Sequence, residues 1–600
     1  MSPTSRIRPA CPAILHRLAV PVRRALVPAA LLLALAVAAP AGAHTLPTVP
    51  TAVTSAVTAP CPGDPIRLDQ LATGSFESNL QESYVLVPFD VPAGTTAVRV
   101  KYCFDQPEAP LPSVRHTLDL GLYEPQRAGS LPGAAEFRGW GGSSHPDVTL
   151  SPEGFSSEAQ YTARPKGHVP GRTTRGFRPG AIQPGRWHAE LGLAAIARRE
   201  QGDLDDRVTW RVEVEYARDP AFADSPYRPA RYSTRPARRK AGWYTGDLHV
   251  HAEHSALGDA TMTETFDYAF GEAGLDFVTL SDYVTDSAWG EIGRYRAAHR
   301  RDLVGRSSEV ITYRGHANNQ LSGAYVDYRT GPVYDLRTDG GVALRRAAQP
   351  ASRILRDVRR AGGFPQINHP TIFPSSNPLF AMLCRGCPWD YSASETGYRL
   401  VDAIEVTTGP QRVGEAPNPF TTTAIDFYER ALAAGAHAAA LGVSDSHHAG
   451  RAPGGVTQSP VGVGSTAVRA PELSERGLRC AVKAGHTYAK LGGAGGPDLR
   501  FTGRAPGARR TAIFGDTVRA RRLALTGRAL GASGRPAVLQ LVRDGRVVDA
   551  VPASRRLRTT VTAPGRYGLR LMRGQFTEAV GTPIWFRARG GKSRVSVRGC

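Results

Sequence analysis

The chain has 600 residues, and its length excludes a single hydrophobic core, so we expect two to four domains. Its hydrophobic content of 41% is ordinary, while 64 Gly and 47 Pro favour β-rich domains with many turns. The net charge of +21 is uneven, because residues 497–600 carry 22 basic and 5 acidic side chains. This basic end could attract nucleic acid, envelope polymers or membrane, but its scattered arginines favour ordinary solvation.

The first 43 residues predict a secretory signal peptide. Five arginines accompany the apolar stretch 25–39, and Ala41-Gly42-Ala43 offers a cleavage site of small residues. The stretch is short for a membrane span, and no other stretch could be one. We therefore expect an exported protein without a transmembrane segment in its mature chain. Arg23-Arg24 leaves twin-arginine export open, and residues 44–60 predict a flexible leader.

Export changes what the cysteines predict. Cys11 leaves with the signal peptide, and an even number outside the cell favours disulfides. The spacing Cys384-Arg385-Gly386-Cys387 also suits zinc, although no second cysteine pair or nearby histidine in the sequence completes four ligands. The preferred disulfides are Cys61–Cys103, Cys384–Cys387 and Cys480–Cys600.

Residues 61–224 predict an N-terminal β-sandwich, because short alternating strands are separated by Gly/Pro turns. Trp140, Phe155 and Trp187 are expected to pack in or over this sandwich, with carbohydrate binding as the alternative. Residues 225–240 are rich in Pro and Arg and predict a linker. Residues 497–600 predict a small basic β-sandwich, in which Asp544-Gly545 between apolar runs indicates a hairpin.

From residue 241 to residue 491, predicted strands and helices alternate. This alternation predicts βα units in a parallel sheet or barrel, where chemistry is expected at the carboxyl ends of the strands. The expected helices are Thr261–Ala273, Ser352–Ala361, Thr422–Ala434 and Glu472–Ala484.

Potential metal ligands lie on or just after these strands. Leu248 and Val250 alternate with His249 and His251, so a strand directs both imidazoles to one face. A single His-x-His pair is a weak signal, but histidines or acids at nearly every strand end are not explained by core packing. The other candidates are Asp282, Glu309, His316, Asn368, His369, Glu405, Asp445 and His447.

These motifs resemble the PHP (polymerase and histidinol phosphatase) metallohydrolases, and in particular their carbaryl-hydrolase-like branch. The resemblance implies a multidomain α/β + β protein, with a central distorted (βα) PHP barrel at 241–491 flanked by the two β-sandwiches. The matching motifs are Asp247-Leu248-His249-Val250-His251, Ser281-Asp282-Tyr283, Glu309-Val310-Ile311-Thr312, Gly315-His316-Ala317-Asn318, Ile367-Asn368-His369-Pro370 and Ser444-Asp445-Ser446-His447.

The resemblance also implies two adjoining divalent metal ions, of zinc, manganese or iron. One ion would take His249, His251, Glu309 and Asp445, and the other would share Glu309 and add His316 and His369. A hydroxide activated by both ions would then attack the substrate. Phosphoester hydrolysis is the first expectation, and carbamate or carboxyl-ester hydrolysis is the alternative within the same branch.

The chain departs from three-metal members of the family at Ala256 and Tyr283, where a third ion would need ligands. Of that third site only His447 is clear, with His254 as a candidate substitute, so a two-metal centre is expected. His447 is then free to act as a general acid/base or to orient substrate, and Tyr283 either donates to the developing oxyanion or only packs. Four residues are expected to support the ligands by hydrogen bonds rather than bind metal: Asp247, Asp282, Asn368 and Glu405.

Two other functional classes stay open. The missing third-site ligands also suit a non-catalytic scaffold, in which a degraded PHP domain and two sandwiches bind envelope polymer. A nuclease would use the basic residues 497–600 to bind DNA and would show a steep salt dependence. Metal content separates an enzyme from a scaffold, because only an enzyme of this kind requires about two equivalents of metal.

Overall fold

The computed structural model describes residues 51–52, 59–108, 114–127, 129–373, 384–452, 459–532 and 536–599. The expected signal peptide, nearly all of the leader and Cys600 lie outside these residues, so the Cys480–Cys600 pair is not described. Within them, no helix is long and apolar enough to cross a membrane.

The N-terminal part forms two β-sheets whose facing side chains share one core, which includes the buried Trp187 and Trp210. Trp140 is buried as well, which confirms packing rather than carbohydrate binding for Trp140 and Trp187. One sheet contains Thr51–Ala52, Gln70–Glu77, Ala97–Asp105, Asp147–Leu150 and Arg207–Ala217. The other contains Tyr84–Val91, Thr117–Tyr123, Phe137–Gly142, Gly185–Ala195, Val333–Leu336 and Val342–Arg346.

The last two strands of that second sheet come from the central part of the chain. Val333 pairs with Tyr84 in a parallel register, so the central segment completes the N-terminal sheet by main-chain hydrogen bonds. The N-terminal part and the central part of the chain are therefore joined by a shared sheet.

Two of the expected disulfides are confirmed. Cys61 and Cys103 are bonded across 42 positions, with their Cα atoms 5.6 Å apart. Cys384 and Cys387 are bonded within their loop, with Cα atoms 5.7 Å apart. Disulfides are typical of proteins from oxidising compartments, which agrees with an extracellular location.

Two sheets of the central part carry the candidate site. The first contains a parallel run of three strands, Gly242–Val250, Phe277–Leu280 and Leu303–Arg306, within a sheet of twelve strands. The second has five strands, of which the last three are parallel. Its members are Glu309–Thr312, Gly315–Gln320, Phe364–Ile367, Ala403–Thr408 and Ala439–Val443.

The expected central (βα) barrel is wrong. Strands account for 39% of the described residues and helices for 15%, and the sheets form a curled half-barrel. The reason lies in strand direction: Gly242–Val250 pairs antiparallel with Ser465–Ala470, and Gly315–Gln320 pairs antiparallel with both of its neighbours. The βα units therefore form two short parallel runs in separate sheets instead of one closed ring.

Seven α-helices lie within the described residues. The four expected helices are confirmed with small shifts at their ends, and Thr261 caps its helix by accepting a hydrogen bond from the backbone N–H of Glu264. The helices are Glu158–Ala163, Met262–Phe270, Ile292–Ala298, Ala351–Arg360, Ala393–Thr396, Pro419–Ala433 and Glu475–Lys483.

The C-terminal part continues the twelve-stranded sheet, because Phe576–Gly581 pairs with the central strand Thr487–Lys490. The expected hairpin is confirmed: Asp544 and Gly545 both have positive φ, as a two-residue turn requires. The remaining strands of this sheet are Thr517–Ala520, Val538–Arg543, Arg546–Pro552, Gly565–Arg573, Ile584–Ala588 and Arg594–Ser596. A separate four-stranded sheet shares their core and contains Asp498–Arg504, Ala512–Ile513, Leu523–Leu530 and Leu557–Val561. A two-stranded ribbon, Arg412–Val413 with Ala416–Pro417, completes the described strands.

Candidate metal centre

The first pair of candidate ligands lies where the strand Gly242–Val250 ends. Leu248 and Val250 are fully buried in neighbouring apolar clusters, and the rings of His249 and His251 approach to 5.0 Å between centroids. The backbone N–H of His251 donates to the carbonyl of Ser446, which ties this end to the segment that carries Asp445. The apolar side chains thus fix the strand while both imidazoles face one point.

His249, His251, Glu309 and Asp445 form a group whose possible ligand atoms all lie within 4.8 Å of one another. His249 Nε2 lies 3.3 Å from Glu309 Oε2 and 3.2 Å from Asp445 Oδ1. His251 Nε2 lies 3.4 Å and 3.0 Å from the same two oxygens. Two neutral imidazole nitrogens and two carboxylates suit zinc, manganese or iron.

The second pair of histidines faces the other oxygen of Glu309. His316 Nδ1 lies 3.0 Å from Glu309 Oε1, and His369 Nε2 lies 3.1 Å from the same atom. His316 stands on the strand next to Glu309, and His369 follows the end of Phe364–Ile367. The Glu309 carboxylate therefore lies between two histidine pairs and can bridge two cations.

Of the four residues expected to support the ligands, Glu405 and Asn368 contact them with their side chains. His249 Nδ1 lies 2.7 Å from Glu405 Oε1, and the other oxygen of Glu405 accepts from the backbone N–H of His369 at 2.6 Å. Asn368 donates its side-chain amide to Glu309 Oε1 at 2.8 Å. Such partners fix imidazole tautomers and carboxylate orientation around a metal.

The carboxylates of Asp247 and Asp282 accept hydrogen bonds from backbone N–H groups rather than from the side chains of the ligands. Asp247 accepts hydrogen bonds from the N–H groups of His249 and Gly462, and Asp282 accepts from that of Ala252. Burial raises the pKa of Asp247 to about 6 and that of Asp282 to about 7. Both carboxylates therefore shape the loops that present the ligands.

The carboxylates and imidazoles at the centre shift one another's pKa values. Burial by itself lowers the pKa of His249, but the carboxylates of Asp445, Glu309 and Glu405 outweigh it and hold that pKa well above its usual value. Burial by itself raises the pKa of Glu309, but the imidazoles of His249 and His316 hold it well below its usual range. A buried site with this much negative charge attracts cations, and a metal ion would have to displace protons from it.

Two observations test whether a metal fits these residues. His249 Nε2 and Glu309 Oε2 are buried, and neither has a hydrogen-bond partner of good geometry among the described residues. Orphaned buried polar atoms are rare in folded proteins, and a shared ion would satisfy both. Asp445 adopts a positive φ of 53°, a conformation that is costly outside glycine and concentrated at functional sites. The donor set therefore fits a divalent cation.

His447 and Tyr283 form a pair beside the first group. His447 Nε2 lies 2.9 Å from the Tyr283 hydroxyl, and the His447 ring stacks on His251 with centroids 4.1 Å apart. Burial lowers the pKa of His447 well below its usual value, so a neutral imidazole is favoured. The Tyr283 hydroxyl thus has a hydrogen-bond acceptor in His447, so Tyr283 does more than fill space beside the first group.

His254 belongs to a different cluster. Its Nε2 lies 3.1 Å from Glu291 Oε2 and 3.0 Å from the guanidinium of Arg175, which also pairs with Glu253 at 2.9 Å. Arg175 pairs with both Glu253 and Glu291, so the cluster is a buried ionic network that joins the N-terminal sandwich to the loop after His251.

Comparison with known proteins does not identify a family. No family model matches the chain, and no curated protein matches it closely. One solved structure to which the chain is similar is the crystal structure of an engineered protein, a Northeast Structural Genomics Consortium target. The likeness has 12% identity and a TM-score of 0.13, and it covers 54% of this chain and 53% of that chain. The chain thus spans about half the length of that protein, at a TM-score too low to indicate a shared fold.

Three residues near the centre were not expected from the sequence. Arg385 lies between the two cysteines of its loop, and its guanidinium contacts Asp119 at 3.0 Å. Lys166 donates its ammonium group to the carbonyls of Glu253 and Ser255 at 2.6 and 2.7 Å. Arg175 approaches the same loop. Basic residues are common in this chain, and no local pattern separates these three from solvated ones.

Proposed function

We propose that the protein is a metal-dependent hydrolase with a two-metal centre. His249, His251 and Asp445 would hold one ion, His316 and His369 would hold the other, and Glu309 would bridge them. The observation that carries the proposal is the position of Glu309: each of its oxygens faces a separate histidine pair, at 3.0–3.4 Å. The proposed ligands are those implied by the resemblance to the PHP metallohydrolases, but they lie on or just after strands of two separate sheets rather than on a closed barrel.

Two bound ions lower the pKa of a water molecule and stabilise negative charge that develops on a substrate oxygen. The remaining steps fall to side chains of this chain. His447 can act as a general acid/base, and its Nε2 accepts a hydrogen bond from the Tyr283 hydroxyl 2.9 Å away. Glu405 keeps the His249 proton on Nδ1, so that Nε2 stays free as a ligand.

The proposed substrate class is a phosphoester. Its support is the resemblance of the ligand motifs, since a transferring phosphoryl group is stabilised by paired cations. A carbamate or carboxyl ester is the alternative of the same chemistry, because the same residues would stabilise a tetrahedral oxyanion. Both proposals use the same six ligands and differ in the atom that is attacked, which is phosphorus in a phosphoester and the carbonyl carbon in a carbamate or carboxyl ester.

The direct test assays phosphomonoesters, phosphodiesters and aryl esters with the full chain loaded with manganese or zinc. We expect hydrolysis of at least one class, and its loss in His249→Ala. The matched control is His299→Ala, since His299 contacts a carboxylate at 3.7 Å on the surface, outside the centre. Equal rates for wild type and His249→Ala would overturn the proposal. Absence of bound metal after loading, together with no hydrolysis of any class, would favour a scaffold.

A further inference from the structure

The loop that carries Cys384 and Cys387 lies against two of the candidate ligands. The possible ligand atoms of Cys384, Cys387, His316 and His369 all lie within 4.8 Å of one another. Cys387 Sγ lies 3.3 Å from His369 Nδ1, and three of the four residues are buried. Two sulfurs and two imidazoles thus meet in one place, although neither histidine is adjacent to the cysteines in sequence.

The two histidines have a second set of donors within reach. His316 Nδ1 and His369 Nε2 face Glu309, whereas His369 Nδ1 faces the sulfur of Cys387. An imidazole offers two nitrogens, of which one ligates an ion in an ordinary site. His369 can therefore serve either the Glu309 centre or a site made with the sulfurs.

We propose that Cys384 and Cys387, once reduced, form a Cys2His2 site for zinc or a similar thiophilic divalent ion with His316 and His369. The Cys-x-x-Cys spacing and the four donors match structural zinc sites. A dithiol reductant supplies two electrons and two protons, the S–S bond opens to two thiols, and the reductant becomes a disulfide. Metal binding then displaces the two thiol protons.

The loop keeps its place when the bond opens, because contacts other than the disulfide anchor it. Arg385 pairs with the buried Asp119 at 3.0 Å. Gly386 has φ +83°, and a Cβ at this position would lie 1.7 Å from the carbonyl oxygen of Thr312. Both reduced cysteines therefore stay next to the histidines. The inference stands on this geometry and does not require that the centre hydrolyses anything.

The test is a cobalt titration of the full chain, oxidised or reduced with dithiothreitol that is then removed under argon. We expect the reduced protein to show a sulfur-to-cobalt charge-transfer band that saturates at about one cobalt ion per chain, and the oxidised protein to lack this band. The double variant Cys384→Ser/Cys387→Ser should lose the band although Cys61, Cys103 and Cys480 remain. His369→Ala should weaken the binding that gives the band at least about tenfold, the scale of losing a supporting contact.

The absence of the band in reduced wild type would overturn the inference, as would an equal band in the double serine variant. If the double variant does not fold, zinc protection of the reduced wild type from alkylation gives the same answer by peptide mapping. We expect protection at Cys384 and Cys387, and their full alkylation in the presence of zinc would overturn the inference. His249→Ala should keep the band while losing hydrolysis, which separates the two proposals.

Discussion

His249 Nδ1 lies 2.7 Å from Glu405 Oε1, across 156 positions of sequence. This contact leaves the opposite ring nitrogen facing Glu309 and Asp445. It is the arrangement by which a carboxylate sets the tautomer of a metal-binding imidazole. The Glu405 carboxylate therefore belongs to the candidate centre although it is not expected to touch an ion.

Replacement of Glu405 by Gln should lower metal affinity by about 10- to 100-fold, because the amide holds the His249 proton less firmly. Isothermal titration calorimetry with zinc measures the change. Glu415→Gln is the matched control, since Glu415 is exposed and its side chain makes no contact with the centre. An affinity equal to wild type would show that Glu405 does not orient the ligand.

His447→Ala should lower kcat by about 10²- to 10⁴-fold without loss of metal, because His447 is expected to move a proton rather than to bind an ion. The measurement pairs steady-state kinetics with metal analysis of the same sample. Loss of metal from this variant would make His447 a ligand, and an unchanged kcat would remove it from the reaction.

Lys166 should make stability depend on pH in the alkaline range. Burial lowers its pKa from the usual 10.5 to about 7. Between these values the unfolded chain binds a proton that the folded chain does not, so the unfolding free energy rises with pH. From about pH 7 to about pH 9, wild type should gain about 2 kcal/mol relative to Lys166→Met.

Denaturant unfolding at the two pH values measures this gain. The Met variant keeps the length of the side chain and removes its titration, although two carbonyls lose their donor. Parallel pH profiles for wild type and variant would contradict the lowered pKa of Lys166.

The sequence was sufficient for local structure, and the structure brings together the residues proposed for the centre. Thr261 with Glu264 predicts a helix start, and Asp544-Gly545 predicts a hairpin, because both depend on neighbours within four positions. His249 and His251 share a strand face for the same local reason. Their meeting with Asp445 was expected from the family resemblance rather than from periodicity.

The sequence was not sufficient for the pairing of distant strands. Thr245 on the His249 strand pairs antiparallel with Ala467, and no periodicity within either strand specifies that direction. The sequence next to Cys384 and Cys387 contains no histidine that completes a zinc site, whereas chain folding brings His316 and His369 to these cysteines. The prediction of a closed barrel was wrong because the direction in which these distant strands pair cannot be deduced from the sequence of either strand.

Metal stoichiometry of the oxidised protein, measured for wild type and for Glu309→Gln after loading with zinc or manganese, tests the central claim most directly. We predict about two equivalents in wild type. In the variant we predict less than one, because both histidine pairs lose the carboxylate between them. Wild type without metal after loading, or a variant that still binds two ions, would contradict a centre bridged by Glu309.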